Sequence, residues 1–347
     1  MAKLSSALFV KPIFMERVWG GNRLGRLLGK ELAPGKIIGE SWELADRPEA
    51  QSLVCGGAFD GVTVRQLLKE RPEELLGKLA AAHPKNFPLL IKYIDAGADL
   101  SVQVHPDDAQ AARFNDLGKA ECWVVVHAEP NAKFIRGLKP GTTREIFERA
   151  MAAGKVEEVL HSFAAKAGQV LALPPGMVHA IGAGIVVAEI QQNSDLTFRL
   201  YDYNRLGLDG KPRPLHVKDA LAVMRFDAPG DEFAGDLRAD TMAPLKSERR
   251  DGVLLEDLLQ SCFFNLQRHS LARGKACAFK SQDLPRVLMA ISGSGTLDGK
   301  PVTAGQTVLI PAAAADISCE AGKESSLVLL SSIPCGHAAD CGLTAKL

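Results

Sequence analysis

Apolar and polar positions alternate along most of this chain and fall into helical spacing in only a few places. LSVQVH (100–105) alternates cleanly, and ECWVVVHA from Glu121 continues in the same strand-like style. Shorter runs add further strands: LLIKYI (89–94), VLALP, GIVVAEIQQ and TFRLYDY. A period of two sends successive side chains to opposite faces. The period lengthens to about 3.6 in VTVRQLLKERPEELLGKLAAA (62–82), which predicts a helical pair with Pro72 opening its second member. A second helical stretch is predicted over 142–165. Thr142 or Thr143 caps it, and Ile146, Phe147, Met151, Val156, Val159, Leu160 and Phe163 form its buried face. One more short helix is predicted from His216 to Phe226.

Residues 227–251 are polar and carry Pro and Gly, as a linker or surface crossing does. From 252 to 333 short strands recur between turns: FFNLQRHSL, RVLMAISGSGTLDGK, QTVLIPA and SSLVLLSS. GSGTLDGK from Gly293 faintly resembles a phosphate loop, but its spacing is wrong and strand text follows. A hairpin turn at Asp298-Gly299 explains it better. The pattern therefore predicts a mainly β chain: residues 1–230 with inserted helices, a linker over 231–251, and a second β unit over 252–347.

The two units share a phrase. GQVLALPPGMVH runs from Gly168 to His179, and GQTVLIPAAAAD runs from Gly305 to Asp316. Both read as turn, short strand and turn, with proline at the seventh place. A scaffold present twice cannot be what requires His179, which marks that residue as a ligand or catalyst. Gln103 and His105, two apart on a strand, leave one face together. That face is either solvated or a buried polar pair in need of partners. Glu121 opens a strand apolar enough to be central. Two imidazoles, a carboxylate and an amide oxygen suit Zn²⁺, and the His, His, carboxylate subset also suits Fe²⁺ or Mn²⁺. Glu189, Gln191 and Asn193 share one strand face by parity. Arg199 carries a permanent charge for a phosphate or enediolate oxygen, or else pairs with Asp195 or Asp202. Lys119 precedes Glu121 by two, and beside a metal its ammonium would be disfavoured, making it a better acid or base.

Composition narrows the partners. Among 347 residues, Lys+Arg and Asp+Glu both total 41, so no broad nucleic-acid or membrane face is expected. A small anion needs only local cations. Seven cysteines without regular spacing fit a reducing cytoplasm. Cys122, Cys262 and Cys277 lie in apolar runs, and Cys335, His337 and Cys341 read as a tail rather than a metal site. The N-terminus lacks a signal-peptide pattern and no apolar stretch reaches membrane-spanning length, so a cytoplasmic protein is expected.

Four segments, LSVQVHPDD (100–108), LGKAECW (117–123), PPGMVHAIGAG (174–184) and EIQQNSDLTFRLYDYNR (189–205), closely resemble the type I mannose-6-phosphate isomerases, above all their short bacterial form. RVWGGNRLG (17–25) and GESWELAD (39–46) resemble that family too. The likeness runs from about residue 9 to 226 and continues more weakly beyond. It implies two cupin-type jelly-roll β-barrels with a helical insertion in the N-terminal part. It also implies one Zn²⁺ per chain, held by Gln103, His105, Glu121 and His179, and a mannose 6-phosphate/fructose 6-phosphate interconversion. Lys119, Asp195 and Arg199 match the family's active-site lysine, acidic and arginine positions. Asp108 replaces a lysine found in long members, which leaves the phosphate contacts open. The second unit is then expected to be a metal-free copy, with a monomer or weak dimer as the assembly. Two other functions fit the same ligands: an Fe²⁺ cupin oxygenase and a non-catalytic sugar-phosphate-binding cupin.

Overall fold

The computed structural model describes residues 3–226, 233–234 and 239–335. Strands dominate, as the alternation predicts, and short helices lie between them. One sheet has six strands in the order Val170–Leu173, Glu121–Ala128, Ile185–Gln192, Leu89–Ala96, Ile13–Gly21, Ile38–Leu44. A second has five: Leu160–Ala164, Lys133–Leu138, His179–Ile181, Val102–Val104, Phe198–Tyr201. The two face each other across a core that includes Trp19, Ile94, Trp123, Phe134, Leu171, Ile181 and Val187. Val102 and Val104 point away from this core. With Phe198 they pack instead beside Phe147 and Ala220, from the helices Arg144–Ala152 and Val217–Val223. The same parity turns Gln103 and His105 toward the space between the sheets.

The remaining large sheet has eleven strands and holds the second half of the chain. The strand Leu8–Val10 also joins it, pairing Leu8 with Leu309. Among the described residues no sheet closes on itself, so the expected barrels appear as open sheets. Side chains between the faces, rather than hydrogen bonds around a circumference, hold the six- and five-stranded sheets together. The largest core lies between the first and second halves. It joins Ile91, Tyr93, Val124 and Ala188 to Leu266, Met289, Leu309 and Leu330.

The repeated phrase is repeated structure. Gly168 and Gly305 have φ of +86° and +88°, and Gln169 and Gln306 each accept a hydrogen bond from the backbone N three residues earlier. Val125 N donates to Gln169 O and Ala290 N to Gln306 O, both at 2.9 Å. The strands Val170–Leu173 and Thr307–Ile310 therefore sit alike against Glu121–Ala128 and Arg286–Leu297. Asp298 and Gly299, both with positive φ, form the expected hairpin turn.

Three expectations change. The 142–165 helix ends early: Arg144–Ala152 is helical, capped by Thr143, whose Oγ1 accepts from Ile146 N. Gly154, at φ +68°, breaks it, and after one turn at Val156–Val159 the chain becomes the strand Leu160–Ala164. Its Leu160 and Phe163 are buried by pairing with Lys133–Leu138, a tertiary contact that the local spacing does not show. Part of the predicted linker, Lys246–Arg250, is a fully exposed edge strand paired with Val253–Leu259. Residues 227–232 and 235–238 of that stretch, and His337 and Cys341, lie outside the described residues. Finally, Asp316 does not occupy the place of His179. It points outward, its carboxylate on Lys280 Nζ (2.6 Å) and Ser281 N (3.0 Å), and Ile317 takes the inward position.

Candidate metal centre and its cavity

Each side chain of the centre is placed by strand register. His179 pairs directly with Gln103, and Gln103 with Arg199, across three neighbouring strands of the five-stranded sheet. Glu121 comes from the facing sheet, where it pairs with Leu173 and Gln191. His105 follows the strand Val102–Val104. One metal-binding atom from each of His105, Glu121 and His179 lies within 4.8 Å of the other two, and all three residues are buried.

The donor set suits a cation. His105 Nδ1 and His179 Nδ1 each lie 2.8 Å from a backbone carbonyl, of Leu196 and of Met177. Those contacts fix Nδ1 as the protonated nitrogen and leave Nε2 as the one that carries the lone pair. The Nε2 atoms lie 3.3 and 3.5 Å from the two Glu121 oxygens. Burial, with the positive charge that His105 would carry, pushes His179 down to about 3, so its ring is neutral at ordinary pH. Burial opposes the Glu121 charge, but Lys119 and the two histidines hold the carboxyl well below the usual range. Both Glu121 oxygens are buried without a well-directed hydrogen bond. The Lys119 ammonium stands in for a cation, 2.6 Å from Glu121 Oε1 and 3.2 Å from His105 Nε2. Gln103 Nε2 is 3.4 Å from His179 Nε2, and rotating that amide would present its oxygen to the same point.

A cavity of about 270 Å³ opens beside this cluster. Its lining includes Gln103 and Lys119, which touch the triad, together with Asp195 and Arg199. All seven residues singled out from the sequence are therefore at or beside one cavity. Arg199 donates from Nε to Ser101 Oγ and from Nη1 to Pro214 O. Asp195 does not pair with Arg199 here. Its Oδ1 lies 3.6 Å from Lys92 Nζ.

Lys92, Glu40, Arg17 and Arg213 also line the cavity but were not singled out from the sequence. Lys92 is 2% exposed, lies over the Trp42 ring and stands 3.6 Å from Glu189 Oε2. Burial disfavours its charge, yet Glu40, Glu189 and Asp195 outweigh that and raise its pKa above the ordinary value. Burial and the Glu121 charge push Glu189 up to about 7, while Trp123 Nε1 donates to its Oε1 at 2.8 Å. The available signal was a lysine inside an apolar strand with both faces buried, a place where lysine is almost never found unless paired. Arg213 is bound to Asp202, which also takes Arg205.

The sequence and the fold are similar to those of known proteins. Residues 8–119 match the family model described as phosphomannose isomerase type I, catalytic domain. The mannose-6-phosphate isomerase of Bacillus subtilis is 35% identical over 310 residues, 88% of this chain and 92% of that protein. The chain belongs to the type I phosphomannose isomerases. A mannose-6-phosphate isomerase of Streptococcus mutans is 37% identical over 229 residues, covering 66% of this chain and 71% of that one. Among solved phosphomannose isomerases, a mannose 6-phosphate isomerase structure from Bacillus subtilis superposes with a TM-score of 0.83 at 28% identity. It covers 94% of this chain and 99% of its own. Membership makes this phosphomannose isomerase relative an aldose–ketose isomerase by class. No helix among its described residues is long and apolar enough to cross a membrane.

Proposed function

We propose that this protein interconverts mannose 6-phosphate and fructose 6-phosphate, using one Zn²⁺ held by Gln103, His105, Glu121 and His179. The supporting observation is a buried His, His, Glu triad, with both Nε2 atoms turned to the Glu121 carboxylate, beside a cavity edged by lysine and arginine. Two neutral imidazoles, an amide and one carboxylate would leave a bound divalent ion with about one net positive charge, and it would supply a Lewis acid to polarise the sugar carbonyl. In this view the open sheets correspond to two jelly-roll units, the first carrying the site and the inserted helices.

The chain's own groups divide the work. Arg213 and Arg205 both bind Asp202, while Arg199, which lines the cavity with Arg213, is held by Ser101 Oγ and Pro214 O, so this wall offers positive charge to a phosphate dianion. Arg199, beside Gln103 in register, also reaches toward the reacting end, where it stabilises enediolate charge. Lys119 and Asp195 both reach the cavity and are the groups proposed to move the proton between C1 and C2. Lys92 holds Asp195 and Glu189 in place.

Elemental analysis of the purified protein, with fructose 6-phosphate turnover before and after chelation, tests the proposal. Zinc near one per chain and chelation-sensitive turnover are expected. Oxygen uptake with iron would favour the oxygenase chemistry that the same triad permits. Sugar-phosphate binding without turnover in zinc-replete protein would overturn catalysis. Proton–deuterium exchange at C2 in Lys119→Met and Asp195→Asn assigns the base, and unchanged exchange in both removes them from that role.

A further inference from the structure

The second repeat places a cation where the first places its carboxylate ligand. Glu121 pairs with Leu173, five residues after Gly168, and Arg286 pairs with Ile310, five after Gly305. The pair Gln103–His179 likewise has its inward counterpart in Phe279–Ile317. Arg286 is 8% exposed, with its guanidinium 5.3 Å from the Phe279 ring and Nη1 2.6 Å from Ser331 Oγ. A buried guanidinium needs an anion nearby. Burial pushes Arg286 down to about 10, and the group that opposes this is Cys277.

Cys277 lies directly opposite Cys319 on the antiparallel strands Ala276–Phe279 and Ile317–Ala321. Cys319 is buried in the core of the second repeat, and Cys277 packs on that core while staying partly exposed. Directly opposite residues have Cα atoms about 4.5–5.5 Å apart. That lies inside the span of roughly 4.4–6.8 Å which a disulfide bridges. Hydrogen bonding with Cys319 and with His269, helped by the Arg286 charge, holds the Cys277 thiol down to about 5 despite burial. An electropositive, partly exposed pocket of this kind makes a thiol nucleophilic.

We propose that Cys277 and Cys319 form a reversible oxidation site that reacts with hydroperoxides and closes a cross-strand disulfide. The Cys277 thiolate sulfur attacks one peroxide oxygen, the O–O bond breaks, and a sulfenic acid and hydroxide form. The hydroxide takes up the proton that Cys277 had lost and becomes water. Cys319 sulfur then attacks the sulfenic sulfur as its own proton leaves, and the expelled hydroxide takes that proton. Two thiols lose two electrons and one hydrogen peroxide becomes two waters. A small-molecule dithiol reverses the step by exchange.

The test uses the reduced full-length protein. Hydrogen peroxide is added, remaining thiols are alkylated, and unreduced peptides are mapped by mass spectrometry. A Cys277–Cys319 linked peptide is expected, with both of these thiols lost and then restored by dithiothreitol. In Cys319→Ser, confirmed as folded by circular dichroism, a sulfenic-acid-trapping dione should mark Cys277 and no linked peptide should form. Arg286→Met should slow Cys277 oxidation roughly tenfold, while the exposed Cys55 reacts as before. Both thiols still open to alkylation when Cys55 is already oxidised would overturn the proposal. So would a disulfide joining either cysteine to another partner.

Discussion

Lys92 carries its charge into a sheet interior, with Glu189 and Asp195 each 3.6 Å from Nζ. Removing that ammonium strands the buried Glu189 carboxylate. Lys92→Met should lower stability by about 3–5 kcal/mol, read from the urea midpoint. The double variant Lys92→Met/Glu189→Gln should recover part of the loss, because one orphaned charge goes too. His179→Ala should lose bound metal and reduce turnover at least about a hundredfold, since even supporting groups around a metal cost ~10–100-fold. Its far-UV circular dichroism should stay close to the parent's. Asp316→Ala should leave turnover unchanged, because that carboxylate faces solvent with Lys280. At this scale the sequence was legible where chemistry repeats or fails to repeat. His179 stood out because its phrase occurs twice. The same comparison misplaced Asp316, because a slip of one residue on a strand exchanges inside for outside and letters alone do not record it. Lys92 escaped notice because its apolar neighbours made the whole run look like ordinary core.

The turns that open the two repeats make a controlled pair. Gly168 and Gly305 have nearly the same positive φ, but an added Cβ meets open space at Gly168 and lies 2.0 Å from Leu28 O at Gly305. Gly168→Ala should therefore cost only about 1–2 kcal/mol, the backbone penalty of the left-handed region. Gly305→Ala must also displace the Leu28 carbonyl, so its thermal midpoint should fall clearly further. Strands and turns were legible because period two and the Gly-Gln and Asp-Gly turns are local signals. The end of the 142–165 helix was not, since Leu160 and Phe163, three apart, fit the helical period, whereas the strand buries them on opposite faces in two different cores. Pairing with Lys133–Leu138, distant in sequence, decides for the strand.

Over the whole molecule, the largest core belongs to both halves at once. Polar contacts cross the same boundary: Lys30 Nζ reaches Glu43 and Gly305 O, Thr307 Oγ1 donates to Glu43, and Tyr93 OH donates to Ala290 O. A fragment comprising residues 1–245 would expose that apolar face. It should bind a hydrophobic dye strongly and unfold without a sharp transition, whereas the full chain should show one cooperative urea transition. The strand Leu8–Val10 completes the late sheet by lying between Thr307–Ile310 and Val54–Cys55. During synthesis that segment emerges long before Thr307–Ile310, so one of its two neighbours is missing while the residues between them are made. The nascent chain must hold Leu8–Val10 unpaired on that side until then, so a translation stall before Thr307 should leave this segment protease-sensitive.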